Sequence, residues 1–304
     1  TYTSPIFRTR VDATLTKAIY KRIPVLINEN TKTNDWGVRY AGLFHMANDS
    51  NLFHDNPGKG LLPLYEGKFF WHFDHRFGSY GIEGPGRGGR GLAVMPLSNY
   101  KNPNFSIIPR YWLEESDVEK RLQGWKYKWL ICFRSVTSAK LERTVVFSFI
   151  PRVAIGHNAP LLFPDKSPSV VHTSCFLANM NSLVFDFLAR QKIGGTSLGN
   201  FILNQLPVLM PDTYSTLDLD YISQRVLPLV YTAYDLTFLA NDLGYSSQPF
   251  IWDEINRETL RSELDAYYAR LYGLNRKQLR YILDPADLTE HELEDILDPW
   301  EEVS

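Results

Sequence analysis

The spacing of apolar residues changes character twice along the chain. Near the N-terminus Leu15, Ala18 and Ile19, with Arg22 continuing the stripe, recur at helical spacing after Asp12, which predicts an amphipathic helix. A second helix is expected over residues 38–46. From about residue 60 to 165 the pattern shortens to apolar or alternating runs interrupted by Gly, Pro and Asn. The runs at 68–73, 128–133, 144–150 and 161–163 read as strands of a mainly antiparallel β-region. A strand-like stretch at 172–177 then leads into a helix over 182–191, on which Val184, Phe185 and Leu188 share a face. Beyond Pro211 the period is helical again. One helix is expected over 221–243, with Pro228 as a kink, and another over 253–272, where Leu260, Leu264, Tyr267, Tyr268 and Leu271 line up before Gly273. The last helix is announced by a capping box, Thr289 with Glu292, ahead of Leu293, Ile296 and Leu297. The expected fold is α+β, with a helical lead-in over 1–60, a β-rich domain over 61–211 and a helical region over 212–304.

Composition narrows the class. With 304 residues, 44% hydrophobic and 22% charged, the chain has apolar material for one large core or two moderate ones, so a folded protein is expected. No apolar run approaches the roughly 20 residues of a membrane span, and the start Thr1-Tyr-Thr-Ser-Pro5 lacks basic and apolar leader regions, so no membrane is expected as a partner. A start without methionine leads to the expectation of a piece of a longer polypeptide. Cys132 and Cys175 lack metal-ligand spacing, which argues against a disulfide framework or cysteine zinc site and fits a reducing cytoplasm. The net charge of -2 hides an asymmetry: residues 284–304 hold nine acidic side chains and no Lys or Arg, leaving the preceding part at +7. Within that part, residues 101–152 hold ten Lys/Arg against five Asp/Glu, interleaved with Tyr111, Trp112, Trp125, Tyr127, Trp129 and Phe133. Such mixing suits a nucleic-acid surface, and it equally describes a solvated face on a β-rich core.

Two blocks carry candidate chemistry. In Ala189-Arg-Gln-Lys-Ile-Gly-Gly-Thr196 a basic helix end meets a turn in which Gly194 and Gly195 permit positive φ and close approach. Its backbone N–H groups, with Arg190, Lys192 and the Thr196 hydroxyl, suit a phosphate backbone; the plain alternative is a helix stopped by glycine. The second block, residues 64–77, packs Glu66, Lys68, His72, Asp74, His75 and Arg76 into eleven positions. Asp55 with Glu66 and Lys68 would make the acidic pair and lysine of a magnesium-dependent nuclease. His72, Asp74 and His75 would make metal ligands only on a loop, since His75 points away from the other two on a strand. The third reading is a charged β-ribbon bonding to nucleic acid or to a neighbouring loop, with Arg76 pairing to guanine or to Asp74. Between the blocks, the glycine-rich loop at 78–91 carries Arg87 and Arg90 and reads as a DNA-contacting loop or a linker.

Separated blocks in a fixed order add a family likeness. Ser4-Pro-Ile-Phe-Arg-Thr-Arg10, Phe44-His-Met-Ala-Asn-Asp-Ser50, residues 64–77, Pro109-Arg-Tyr-Trp112 and residues 190–207 resemble the C-terminal part of large adenine-specific DNA methyltransferases. These are the restriction-modification and phage-exclusion type, type IIG among them, sometimes fused to an endonuclease. Leu271-Tyr-Gly-Leu274 and Tyr281-Ile-Leu-Asp284 extend the likeness, and residues 182–211 also resemble the end of a target-recognition domain in type I specificity subunits.

The resemblance implies that residues 61–211 are a target-recognition domain that grips double-stranded DNA and selects its sequence. A methyltransferase catalytic domain, upstream or in trans, would bind S-adenosylmethionine and flip the adenine. The chain departs from that domain's pattern: at Asn102-Pro-Asn-Phe105, Asn104 replaces the second proline of the adenine-holding loop, so a β-turn is expected there. No glycine-rich cofactor loop, Gly-x-Ser-x-Gly elbow or phosphate-binding P-loop is present, so neither a catalytic constellation nor a cofactor site is expected on this chain. The DNA-binding residues expected from charge and placement are Lys68, His72, Arg76, Arg87 and Arg90 in the β-region. Arg190, Lys192, Gly194, Gly195 and Thr196 join them at the turn, with Arg110 and Trp112 ranking below. Two other classes stay open: the stand-alone nuclease, and an interaction module whose acidic tail meets a basic partner.

Overall fold

The computed structural model describes residues 4–86, 91–122 and 124–297. The N-terminal helix α1 (Arg10–Arg22) opens on a capping box in which Thr9 accepts from the Asp12 N–H and Asp12 from the Thr9 N–H. Of the stripe read from the sequence it buries Leu15 and Ile19, and it adds Val11, while Ala18 is half-buried and Arg22 exposed. The expected second helix is instead a strand, β1 (Val38–Ala41). The Asn34 amide explains the change: it donates to the Val38 carbonyl at 3.0 Å and accepts from the Val38 N–H at 2.7 Å, occupying both groups a helix would use.

The strands that follow are β2 (Leu61–Tyr65), β3 (Trp112–Glu114), β4 (Trp129–Phe133), β5 (Phe147–Pro151), β6 (Ala154–Ile155) and β7 (Leu161–Pro164). One sheet has the order β1-β7-β4-β5 with every neighbour antiparallel; the other has the order β3-β2-β6, its last pair parallel. Every residue of β4 is buried, so the larger sheet is covered on both faces. Short helices α2 (Leu97–Lys101) and α3 (Glu115–Arg121) lie between the strands. The run at 68–73 is not a strand. The Trp71 and Asp74 backbones bond to each other around a tight turn, with Phe73 held at φ 59°. Positive φ at a buried phenylalanine costs energy that its packing must offset.

The helical half begins earlier than its periodicity suggests. Residues 172–177 lie in α4 (Val170–Asn181), not in a strand, because the helix is buried on nearly all sides and shows no amphipathic stripe. After α4 come α5 (Leu183–Arg190), α6 (Asn200–Leu203), α7 (Thr216–Val230), α8 (Thr237–Asp242), α9 (Glu254–Leu271), α10 (Arg276–Leu283) and α11 (Glu290–Leu297). Pro228 sits inside α7, and the helix expected to reach residue 243 breaks after Val230. The α4–α5 corner seals β5, an edge strand. Asn181 pairs with both backbone groups of Phe147 at 2.9 and 3.0 Å, and Asp186 accepts from the N–H groups of Thr144 and Val145 at 2.7 and 2.8 Å. Then α7 packs on α4 and α9, α10 on α5, and α11 on α1. A single apolar cluster runs from Val11 to Ile296, so core packing is continuous across residue 212. The architecture is α+β, with a sheet-containing middle between N-terminal and C-terminal helices. No helix among the described residues is long and apolar enough to cross a membrane.

Candidate nucleic-acid interface

The segment after α5 is laid against the end of β4. Thr137 donates its N–H to the Thr196 carbonyl at 3.0 Å, Leu198 donates to Ser135 at 2.7 Å, and Val136 faces Ser197 in an antiparallel bridge. These bonds hold Gly194, Gly195 and Thr196 at the surface, where all three are exposed. Their N–H groups find no hydrogen-bond partner among the described residues. Neither glycine takes the positive φ anticipated for it. A Cβ added at Gly195 would meet nothing within 4 Å, and one at Gly194 only the Ile6 side chain at 3.4 Å, so what the pair provides is room for an incoming molecule.

The two cations that precede the turn are placed differently from expectation. Arg190 turns back onto its own helix, donating from Nε to Asp186 Oδ2 at 2.7 Å and from its other nitrogens to the carbonyls of Ala139 and Glu142. It braces the 139–142 loop while its side chain stays about 33% exposed. Lys192 reaches Gln205 Oε1 at 3.2 Å and lies 5.8 Å from the Tyr20 ring, and burial lowers its pKa.

Lys68 shares a pocket with Val136, the residue bridged to Ser197. Together with Glu66, Arg134, Val136, His157 and Asn158 it lines a pocket of about 320 Å³. Its amine bonds to the Tyr80 hydroxyl at 2.6 Å and to Glu66 at 3.0 Å. Burial alone would lower its pKa, but these two hydrogen bonds outweigh burial and the net shift is upward, so the amine stays charged. Arg134 was missed in the sequence although it directly follows the apolar run of β4, where a strand delivers its next residue to the surface. Its guanidinium lies 5.1 Å from the Trp71 ring, and Trp71 stacks on Phe77. His157 stacks on His45 at 4.2 Å.

The rest of the 64–77 block is an internal brace. Arg76 is fully buried, and its guanidinium donates to the carbonyls of Asn102 (2.9 Å), Phe105 (3.0 Å), Tyr100 (3.1 Å), Thr232 (3.0 Å) and Asn99 (3.5 Å). Asn102 and Phe105 close the expected turn through the Phe105 N–H at 3.1 Å. Asp74 accepts from the Arg76 N–H and the Tyr100 hydroxyl, and buried His75 pairs with Asp235 at 2.8 Å. Arg76 therefore ties the β-region to the chain after α7 and has no surface from which to touch DNA, a correction to the expectation for it.

His72 is corrected likewise, being buried at 5% exposure. It lines a cleft of about 710 Å³ in which Asp74, Glu142, Glu254, Glu258 and Asp265 outnumber Arg143, Arg257 and Arg261. Arg143 is paired with Asp265 and Arg261 with Glu254, so the remaining charge repels phosphate. Burial first, then Arg143 and Arg261, pushes the His72 pKa well below its usual value. The unfolded chain takes up this proton near pH 6.5 while the folded chain resists it, so stability is full above that pH and falls below it. Replacing His72 by phenylalanine should flatten urea-unfolding stability between pH 6.5 and 5 by about one proton, roughly 1.4 kcal/mol per pH unit. A slope unchanged by H72F would contradict this.

Arg110 is exposed, 5.1 Å from the Tyr111 ring, and Trp112 is half-buried in β3. Arg87 and Arg90 lie outside the described residues. Glu66 and Lys68 do meet, but as an ion pair, while Asp55 is exposed ahead of β2. Among the described residues no three His, Cys, Asp or Glu side chains gather as a metal site. Part of the acidic C-terminal charge is already answered within the chain: Arg280 pairs with Asp287 and Glu292, and Lys277 with Asp295.

No protein-family model and no curated protein matches the chain. Among solved structures it is similar to the HsdS subunit from Thermoanaerobacter tengcongensis, at 12% sequence identity and a TM-score of 0.23. The match covers 86% of this chain and 50% of that one, so the chain spans about half the length of that subunit, and a likeness this slight carries nothing about function.

Proposed function

We propose that this chain is the DNA-recognition part of an adenine N6-specific methyltransferase of a restriction-modification or phage-defence system. S-adenosylmethionine and the transfer chemistry belong, in this reading, to a catalytic domain outside it, and the working compartment is the cytoplasm. The observation that carries the DNA-binding half is one juxtaposition. The bridge between Val136 and Ser197 ties the segment that follows the exposed Gly194, Gly195 and Thr196 to the pocket that Val136 lines with Lys68 and Arg134. Backbone N–H groups converging with a cation bind phosphate oxygens, and side chains with both donors and acceptors next to them can meet base edges. The methyltransferase half rests on the ordered sequence blocks.

Fluorescence anisotropy of a labelled duplex at a series of salt concentrations tests the reading. Binding at low salt is expected, with log K falling against log salt at a slope of about -3, the signature of three or four neutralised phosphates. Absence of duplex binding at 50 mM salt, a concentration of about the low end for such proteins, would remove the reading. Cleavage of plasmid with magnesium in the same preparation would favour the nuclease class instead.

A further inference from the structure

The pocket of Lys68 and Arg134 holds more than a phosphate needs. A phosphate is satisfied by cations and N–H donors, whereas this pocket is also lined by Glu66, His157 and the exposed Asn158. Its floor is backbone. A Cβ at Gly67 would stand 3.0 Å from the Asn158 carbonyl oxygen, so at this point the two segments pack backbone against backbone. At about 320 Å³ it is large enough for one flat ring. Two of its walls are held in place in advance, Arg134 over Trp71 and His157 against His45.

We propose that this pocket reads one base of the bound duplex, a guanine, with Arg134 donating to its O6 and N7 and Asn158 meeting the same or the adjoining base. Arginine matches those two acceptors in a planar fork, while lysine at the same place delivers only a point charge. Gly194–Thr196 would fix the register by holding a phosphate, and Lys68, tied to Glu66 and Tyr80, would fix the strand's position along the pocket rim. The inference rests on the DNA-recognition reading above and adds the place where sequence is chosen.

Selection from a randomised duplex pool tests it, using the wild-type chain, R134K and N158A. Asn158 is exposed and structures its turn through its backbone carbonyl, so N158A keeps the fold, and R134K keeps the charge. The wild type is expected to enrich a motif containing a guanine that R134K no longer selects, a loss of roughly tenfold in preference at that position. N158A should relax the same or the adjoining position, and both variants should keep the wild-type salt slope. Enrichment of one motif by all three proteins, binding without any preference by the wild type, or an equal loss on every duplex would overturn the assignment of the pocket while leaving DNA binding in place. No duplex binding by the wild type would overturn the recognition reading and this inference with it.

Discussion

Replacing Arg76 by methionine is expected to cost the fold about 3–5 kcal/mol, the range seen when one side of a buried charged network is removed. Five backbone carbonyls from two distant parts of the chain converge on this guanidinium. Methionine would fill much of the volume and leave those carbonyls without donors in a site closed to water. The consequence is local as well as global, because Arg76 joins Thr232 to the 99–105 turn, which otherwise meets this part of the chain through the Tyr234 N–H bond to the Pro103 carbonyl at 3.0 Å. Lysine should rescue poorly, since one ammonium cannot reach five acceptors spread around a planar fork. Urea unfolding of R76M and R76K against the wild type measures this. R110M serves as the comparison, with an expected change within about 0.5 kcal/mol because Arg110 is exposed. Equal midpoints for R76M and the wild type would mean that the bracket contributes nothing to stability.

The second large effect is on binding. Combining K68E with G195D should reduce duplex affinity roughly 100-fold at low salt and flatten the salt slope by about one to two. Gly195 has an ordinary φ and open space where a Cβ would stand, so aspartate there tests charge without disturbing the turn. Lys68 is about 39% exposed at its side chain, with Glu66 and the Tyr80 hydroxyl as its partners. Arg190 gives the opposite expectation. R190Q removes the ion pair to Asp186 and the brace on the 139–142 loop, so it should lower stability and leave the salt slope of the folded protein unchanged. Loss of binding by R190Q with normal stability, alongside full binding by the K68E/G195D protein, would reverse the two roles.

Much of the fold could be read in the sequence wherever a period and a cap agreed. The capping box at Thr289, the stripes of α5 and α9, and the apolar runs of β4 and β7 all lie where local pattern put them. The failures share one cause, which is that a distant partner decided. β1 is extended because Asn34 and β7 claim its backbone, and α4 lost its periodic signal because other elements cover it on nearly every side. The same holds for function. The surface position of the Gly-Gly-Thr turn was legible because it depends on local pattern, although neither glycine takes the positive φ expected of it. The charge density of residues 64–77 looked like a surface ribbon, because Thr232 and Asp235, which absorb Arg76 and His75, are more than 150 residues away. Arg134 and His157 line one pocket only because the fold brings the end of β4 and the 156–158 turn together.

Amide-resolved NMR of the chain on titration with duplex DNA addresses the central claim most directly. Shifts concentrated at Gly194, Gly195, Thr196, Lys68 and Arg134, with the acidic cleft around Glu258 and Arg261 unmoved, are the predicted result. Shifts centred on that cleft, with the 194–196 amides unchanged at saturating DNA, would contradict it.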